Sequence, residues 1–124
     1  HQLRIAHRDI KLENVLIDKS LGIKLIDFGF ALESSDRLKS FCGTPSYMAP
    51  EMVLKKGYDG RRVDVWALGV LLYRLVVGAM PFKGADEKAL FGKILHGVFK
   101  LPAELSRPLA SLLTGMLRKN PRSG

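Results

Sequence analysis

Two short β-prone runs, residues 15–17 and 23–26, flank a polar bend that contains Gly22. This pattern predicts two strands joined by a turn. Asn14 directly precedes the first run and Asp27 directly follows the second. Antiparallel pairing would therefore bring their side-chain oxygens to one end of a hairpin. Such oxygens are ligands that Mg²⁺ accepts, although residues 27–29 by themselves are also typical of a turn that ends a strand.

The polar block before the hairpin, residues 7–14, places a carboxylate and an ammonium group two positions apart. Asp9 can accept the proton of a hydroxyl group, and Lys11 can place positive charge near a phosphate. With two oxygen donors for a metal, these groups suit phosphoryl transfer. Taken singly, Asp9 is also typical of an aspartate in a loop turn, and Lys11 of a surface lysine.

The composition is typical of one globular domain, with 124 residues, 47% of them hydrophobic and 26% charged. Twenty basic and twelve acidic residues give a net charge of +8. The basic residues occur as scattered pairs, which favours solvated faces over a nucleic-acid surface. A basic nucleic-acid binder remains the weaker alternative, and it predicts strongly salt-dependent affinity for DNA or RNA.

Cysteine usage and hydropathy indicate the compartment. Cys42 is the single cysteine, so no internal disulfide forms, which fits a reducing compartment. The most apolar stretch, residues 65–77, is interrupted by Arg74 and is shorter than the roughly 20 apolar residues that span a bilayer. The first residues have no signal-peptide pattern. We expect a soluble protein of the cytoplasm or nucleus with no membrane association.

Three helices are predicted in the second half of the chain. Residues 63–77 are apolar on nearly all sides, which indicates a helix buried in the middle of a domain and stopped by Gly78. Asp86 can cap the next helix, which ends at Gly97, and Ser106 can cap the third. The third helix has an apolar stripe at Leu109, Leu112, Leu113, Met116 and Leu117. In contrast, residues 29–50 lack sustained periodicity, which is typical of a functional loop.

Three blocks in this order resemble motifs of the eukaryotic protein kinase superfamily. They are His7 to Asn14, Asp27-Phe28-Gly29 and Ala49-Pro50-Glu51, and residues 40–51 extend the third. The resemblance implies the carboxyl-terminal lobe of a serine/threonine kinase, mainly α with a small β-hairpin in an α+β kinase fold. Such an enzyme transfers the γ-phosphate of ATP to Ser or Thr of protein substrates and uses Mg²⁺. The amino-acid sequences of residues 57–60, 71–73 and 81–82 are most similar to those of the calcium/calmodulin-dependent and AMP-activated kinase branch.

The resemblance also implies roles for individual residues. Asp9 would be the catalytic base, and Lys11, two positions later as in serine/threonine kinases, would contact the transferring phosphate of ATP. Asn14 and Asp27 would hold magnesium. The substrate would be contacted by Thr44, which lines the phosphoacceptor pocket, and by Glu13, as in relatives that prefer a basic residue before the phosphoacceptor.

Other residues would support or regulate this site. The resemblance implies that His7 braces the metal loop and that Asp64 braces the catalytic loop. Glu51 would pair with an arginine near residue 124, where this sequence has Gly124. Arg8 would pair with a phosphate that an upstream kinase places on Ser40. Undiminished activity of a full-length Ser40→Ala variant would contradict that switch.

The 124 residues resemble half of a kinase domain, because no glycine-rich nucleotide loop and no lysine of a Val-Ala-Ile-Lys strand occur among them. We therefore expect an absent N-terminal lobe and negligible phosphoryl transfer by these 124 residues alone, since positioning supplies much of this catalysis. The alternative is a non-catalytic, pseudokinase-like or regulatory binding fragment. Retention of Asp9, Lys11, Asn14 and Asp27 argues against a decayed active site.

Overall fold

A computed structural model describes residues 5–20, 22–26, 31–33, 43–55 and 57–118. Helices dominate this part of the chain, and the strands are short, as predicted. The strands are β1 (Ile5–Ala6), β2 (Val15–Ile17), β3 (Ile23–Leu25) and β4 (Leu32–Glu33); the helices are α1 (Pro50–Val53), α2 (Gly60–Val77), α3 (Glu87–His96) and α4 (Arg107–Met116); and 3₁₀ turns span Leu12–Asn14 and Pro45–Tyr47.

The predicted hairpin is confirmed by the antiparallel pairing of β2 with β3. Val15 pairs with Leu25, and Ile17 pairs with Ile23. The Asp18 carboxylate stabilises the connecting turn because it accepts the N–H groups of Ser20 at 2.9 Å and Gly22 at 2.7 Å. A short polar side chain that satisfies nearby backbone donors favours such a turn over continued strand.

The first long helix, α2, begins at Gly60 and not at residue 63 as predicted. Asp59 caps it, and the Asp59 carboxylate accepts the N–H of Arg61 at 2.9 Å. The apolar pattern begins only at Val63, so the cap and not the periodicity marks the true start. Gly78, at φ 85°, adopts the left-handed conformation that ends the helix, as predicted.

The caps predicted for the next two helices are confirmed. The Asp86 carboxylate accepts the N–H of Ala89 at 2.8 Å, and Gly97 ends α3 at φ 75°. The Ser106 hydroxyl oxygen accepts the N–H of Leu109 at 3.3 Å at the start of α4. Each cap satisfies a backbone donor that the first turn of a helix leaves unpaired.

The core lies against one face of α2. The Trp66 and Phe82 rings stack with centroids 5.8 Å apart, and Phe99 meets both Phe82 and Tyr73 edge to face. The Tyr73 hydroxyl donates to the carbonyl of Lys100, and burial raises the pKa of this tyrosine. Because these contacts join α2 to the segments after it and after α3, they fix the helical layer that supports the rest of the fold.

The opposite face of α2 differs from the prediction of a fully enclosed helix. Val65, Leu68, Leu75 and Val76 on this face are 40–61% exposed. Leu112 of α4 is also exposed, because that helix packs on α2 through Met116 and through Leu117, which directly follows it. Among the described helices none is both long enough and apolar enough to cross a membrane.

Two elements lie where no periodicity was visible. β4 falls inside the stretch predicted to be irregular, and its backbone pairs antiparallel with β1, with Ile5 opposite Glu33 and Ala6 opposite Leu32 in the register. Strands of two residues are too short for an alternating pattern to be detectable. The single turn of α1 has Pro50 in its first position, where proline is tolerated because no backbone N–H is needed.

Gly69 of α2 allows close packing against α4. A Cβ added at Gly69 would lie 2.9 Å from the Cβ of Met116 and 3.1 Å from a methyl group of Leu117. We therefore expect Gly69→Ala to lower the free energy of unfolding by about 1–3 kcal/mol, the usual cost of overpacking a core. Urea denaturation would measure this change.

The matched control for that variant is Gly92→Ala, also within a helix. A Cβ added there meets no atom within 4 Å, so we expect a neutral or slightly stabilising effect. Equal effects of the two substitutions would contradict the proposed close contact of α2 with α4.

Candidate active site

Asp64, in the second turn of α2, holds the start of the loop that carries Asp9. Its carboxylate accepts the backbone N–H groups of His7 and Arg8, both at 2.8 Å. The residue is only 3% exposed, so its carboxylate is buried against the loop and does not face water. Burial raises the pKa of Asp64 above its ordinary value of 3.8, while the two N–H groups act in the opposite direction.

The His7 ring connects this loop to the end of the hairpin. Its Nδ1 accepts the N–H of Asp9 at 3.1 Å, and its Nε2 lies 2.9 Å from the carbonyl oxygen of Ile26. Because a backbone N–H only donates and a carbonyl only accepts, these contacts require the neutral tautomer with its proton on Nε2. His7 therefore holds the chain directly before Asp27, which itself lies outside the described residues.

Three of the predicted site residues contact one another. The Asp9 carboxylate accepts a hydrogen bond from the Thr44 hydroxyl group at 3.1 Å. The same hydroxyl oxygen accepts a hydrogen bond from Lys11 Nζ at 3.0 Å. Lys11 Nζ is 3.7 Å from the second oxygen of Asp9. Asp9 is 8% exposed, so its charge is held close to a cation and a hydroxyl group in a largely dehydrated place. This arrangement can receive the proton of an alcohol and stabilise negative charge beside it.

Asn14 lies next to this group and is oriented by it. Its amide nitrogen donates to the Asp9 backbone carbonyl at 2.9 Å and to the Asp9 carboxylate at 3.3 Å. Since both contacts use the nitrogen, the amide oxygen is the atom suited to a metal. The Asn14 carbonyl also accepts the N–H of Ile26 at 2.9 Å, which brings the chain just before Asp27 alongside. The chemistry of these donors fits magnesium, and the Asp27 ligand stays a prediction.

Arg8 has a backbone conformation that is uncommon for a residue with a side chain. Its φ is 67°, in the left-handed region, and its guanidinium donates to the Tyr58 hydroxyl at 2.9 Å. A Cβ at Gly43 would lie 3.2 Å from the Arg8 carbonyl oxygen, so the two segments approach closely. Ser40, the predicted partner through its phosphate, lies outside the described part of the chain.

Glu13 forms an ion pair with Arg74 that the sequence analysis did not predict. Arg74 of α2 donates through Nη1 to a Glu13 carboxylate oxygen at 3.1 Å and to the Tyr47 hydroxyl, also at 3.1 Å. The Tyr47 hydroxyl in turn lies 3.4 Å from the donating N–H of Leu12. The one available signal was Arg74 itself, a single charge that interrupts an apolar run. Its partner, 61 positions away, could not be read from the sequence.

Glu51, predicted to support the fold, lies in the single turn of α1 and is half-buried. The expected arginine partner near residue 124 falls outside the described residues. Met52, the next residue of the turn, is part of the hydrophobic core. The turn is therefore anchored beside the segment that supplies Thr44.

Known proteins match this chain over nearly all of its length. Residues 1–123 match the family model described as the protein kinase domain. A probable serine/threonine-protein kinase MARK-A from Dictyostelium discoideum is 45% identical over 123 residues, which are 98% of this chain and 12% of the relative. CBL-interacting protein kinases 15 and 14 from Oryza sativa subsp. japonica are each 44% identical over 126 residues, which are 98% of this chain and 29% of each relative. The chain thus spans less than a third of the length of these relatives. From the match of motif order, contacts and family model, the chain belongs to the protein kinase domain family.

Proposed function

We propose that these residues form the catalytic-loop region of a serine/threonine protein kinase, which transfers the γ-phosphate of ATP to protein hydroxyl groups. The observation that carries the proposal is the mutual contact of Asp9, Lys11 and Thr44. The relative from Dictyostelium discoideum has serine/threonine kinase activity in its name, and all three relatives are named as kinases. The finer assignment, to the calcium/calmodulin-dependent and AMP-activated kinase branch, is supported by the amino-acid sequences of residues 57–60 and 71–73.

Each residue of the site has a distinct chemical task in this proposal. Asp9 receives the proton of the acceptor hydroxyl as that oxygen bonds to the γ-phosphorus and ADP leaves. Lys11 places its charge beside the oxygens on which negative charge accumulates. Thr44 keeps Asp9 and Lys11 in register through its hydroxyl group. Asn14 and Asp27 would hold magnesium, which when bound neutralises charge on the phosphates.

The test is phosphoryl transfer by the purified full-length protein. The 124 residues alone are unsuited to this test, because their sequence contains no glycine-rich loop to hold the nucleotide. With Mg-ATP and peptides that differ only in their acceptor, we expect phosphate on Ser and Thr peptides and none on the Tyr peptide. Chelation of magnesium should abolish transfer.

Two results would contradict the proposal. Preferential transfer to tyrosine would contradict the serine/threonine assignment. Absence of transfer to every peptide, together with retained binding of a protein partner, would favour the alternative of a non-catalytic regulatory domain.

A further inference from the structure

The Glu13 carboxylate is close to the catalytic loop and already has a cationic partner. Glu13 directly precedes Asn14, and the same loop carries Asp9. A carboxylate in this place would attract a basic side chain of a bound peptide. In this chain Arg74 reaches it first, with Nη1 3.1 Å from the carboxylate oxygen.

A buried anchor positions the Arg74 guanidinium. Its Nη1 also donates to the hydroxyl of Tyr47, a residue that is buried in the core. The Tyr47 hydroxyl accepts a second, longer hydrogen bond from the N–H of Leu12, in the same 3₁₀ turn as Glu13. The helix end fixes the backbone, because the N–H of Gly78 donates to the Arg74 carbonyl at 2.9 Å. The Tyr47 hydroxyl and the helix end together therefore hold the guanidinium beside Glu13.

The pair is nevertheless accessible enough to be broken. The Glu13 side chain is 57% exposed and the Arg74 side chain 39% exposed. Exposed ion pairs contribute little to stability, since water screens the charges and two long side chains must be ordered. A basic residue of a peptide could therefore displace Arg74, but it would first have to compete with it and approach a like charge.

We propose that Arg74 is a specificity-determining residue that competes with basic substrate residues for the Glu13 carboxylate. This inference rests on the proposed kinase function. It predicts that the protein selects only weakly for Arg or Lys before the acceptor, although it has the acidic residue that the resemblance associates with such selection. A purely structural role, in which Arg74 only complements the negative end of the α2 dipole, predicts no effect on peptide choice.

The test uses the full-length protein and serine peptides that carry one Arg at each of five positions before the acceptor, with a neutral peptide as reference. The readout is the ratio of kcat/KM for the best Arg peptide to kcat/KM for the neutral peptide. We expect Arg74→Ala to raise this ratio roughly three- to tenfold, mainly through KM, because one competing and repelling charge is removed. Glu13→Gln should bring the ratio close to one, and the double variant should match Glu13→Gln.

Arg62→Ala is the matched control, because Arg62 is an exposed arginine of the same helix. It should leave the ratio at the wild-type value. If Arg74→Ala folds poorly, Arg74→Met replaces it, since methionine keeps an apolar stem without the charge. An unchanged ratio in the folded variant would overturn the inference, and so would a rise that persists in the double variant.

Failure of the proposed function gives a different result. In that case the wild-type protein would phosphorylate no peptide, the neutral one included, and both proposals would fall. Transfer to the neutral peptide with an unchanged ratio would overturn the role of Arg74 alone.

Discussion

Asp9→Ala in the full-length protein is expected to lower kcat for peptide phosphorylation by about 10²–10⁴-fold, the usual contribution of a positioned acid or base. The Asp9 carboxylate is the one that Thr44 and Lys11 both approach, at 3.1 Å and 3.7 Å. Its removal takes away the proton acceptor and leaves the Lys11 charge without its counterpart. Initial rates at saturating Mg-ATP would measure the loss.

Asp9→Asn separates the chemical role from the structural one. An amide oxygen can still accept the hydrogen bond from Thr44, but an amide cannot take a proton near neutral pH. We therefore expect Asn to be nearly as inactive as Ala, with an unfolding midpoint close to that of the wild type. Glu104→Gln, the same loss of one negative charge at an exposed position, is the control. Near-normal kcat in Asp9→Asn would show that Asp9 is not the base.

Asp64→Ala is expected to lower the free energy of unfolding by about 2–6 kcal/mol, because two backbone N–H groups lose their acceptor and each costs about 1–3 kcal/mol. Those groups belong to His7 and Arg8, at the start of the catalytic loop. Asp64→Asn should cost less, since its single oxygen can serve one of the two donors. Urea denaturation at pH 7 would measure the free energy of unfolding of both variants. Arg62→Ala, at an exposed position of the same helix, is the control.

The pH dependence gives a second measurement on the same variants. Burial raises the pKa of Asp64 above 3.8, so the folded state binds a proton more readily than the unfolded state. In the window between 3.8 and the raised value, the contribution of this group to stability grows as pH falls and is lost as pH rises. The difference in free energy of unfolding between the wild type and Asp64→Ala should therefore increase as the pH is lowered through this window. A difference that decreases there would contradict the raised pKa of Asp64.

Much of the local structure could be predicted from neighbouring residues alone. The β2–β3 hairpin, the Asp86 and Ser106 caps, and the terminations at Gly78 and Gly97 all depend on interactions within a few positions. The start of α2 was placed three residues late, because the apolar pattern begins after the Asp59 cap. The β1–β4 pair was missed because two-residue strands carry no periodic signal.

The candidate site was predicted in a different way. The identities of Asp9, Lys11 and Asn14 came from a motif that resembles a known family. The residue types alone suggested phosphoryl transfer, but they left Asp9 open to the role of a loop aspartate and Lys11 to that of a surface lysine. Their packing adds the reason for the pattern, because the Thr44 hydroxyl bridges Asp9 to Lys11 and the Asn14 amide is held by Asp9 itself.

Interactions between residues that are close along the chain account for the turns, the caps and the apolar stripes, and the same stretches supply the polar residues available for chemistry. Which of those polar groups contact one another depends on how the helices and loops pack. Asp64 supports His7 from 57 positions away, Lys11 reaches Thr44 across 33, and Arg74 engages Glu13 across 61. Such pairs form only after packing of α2 has brought distant segments together, and no local propensity encodes that proximity.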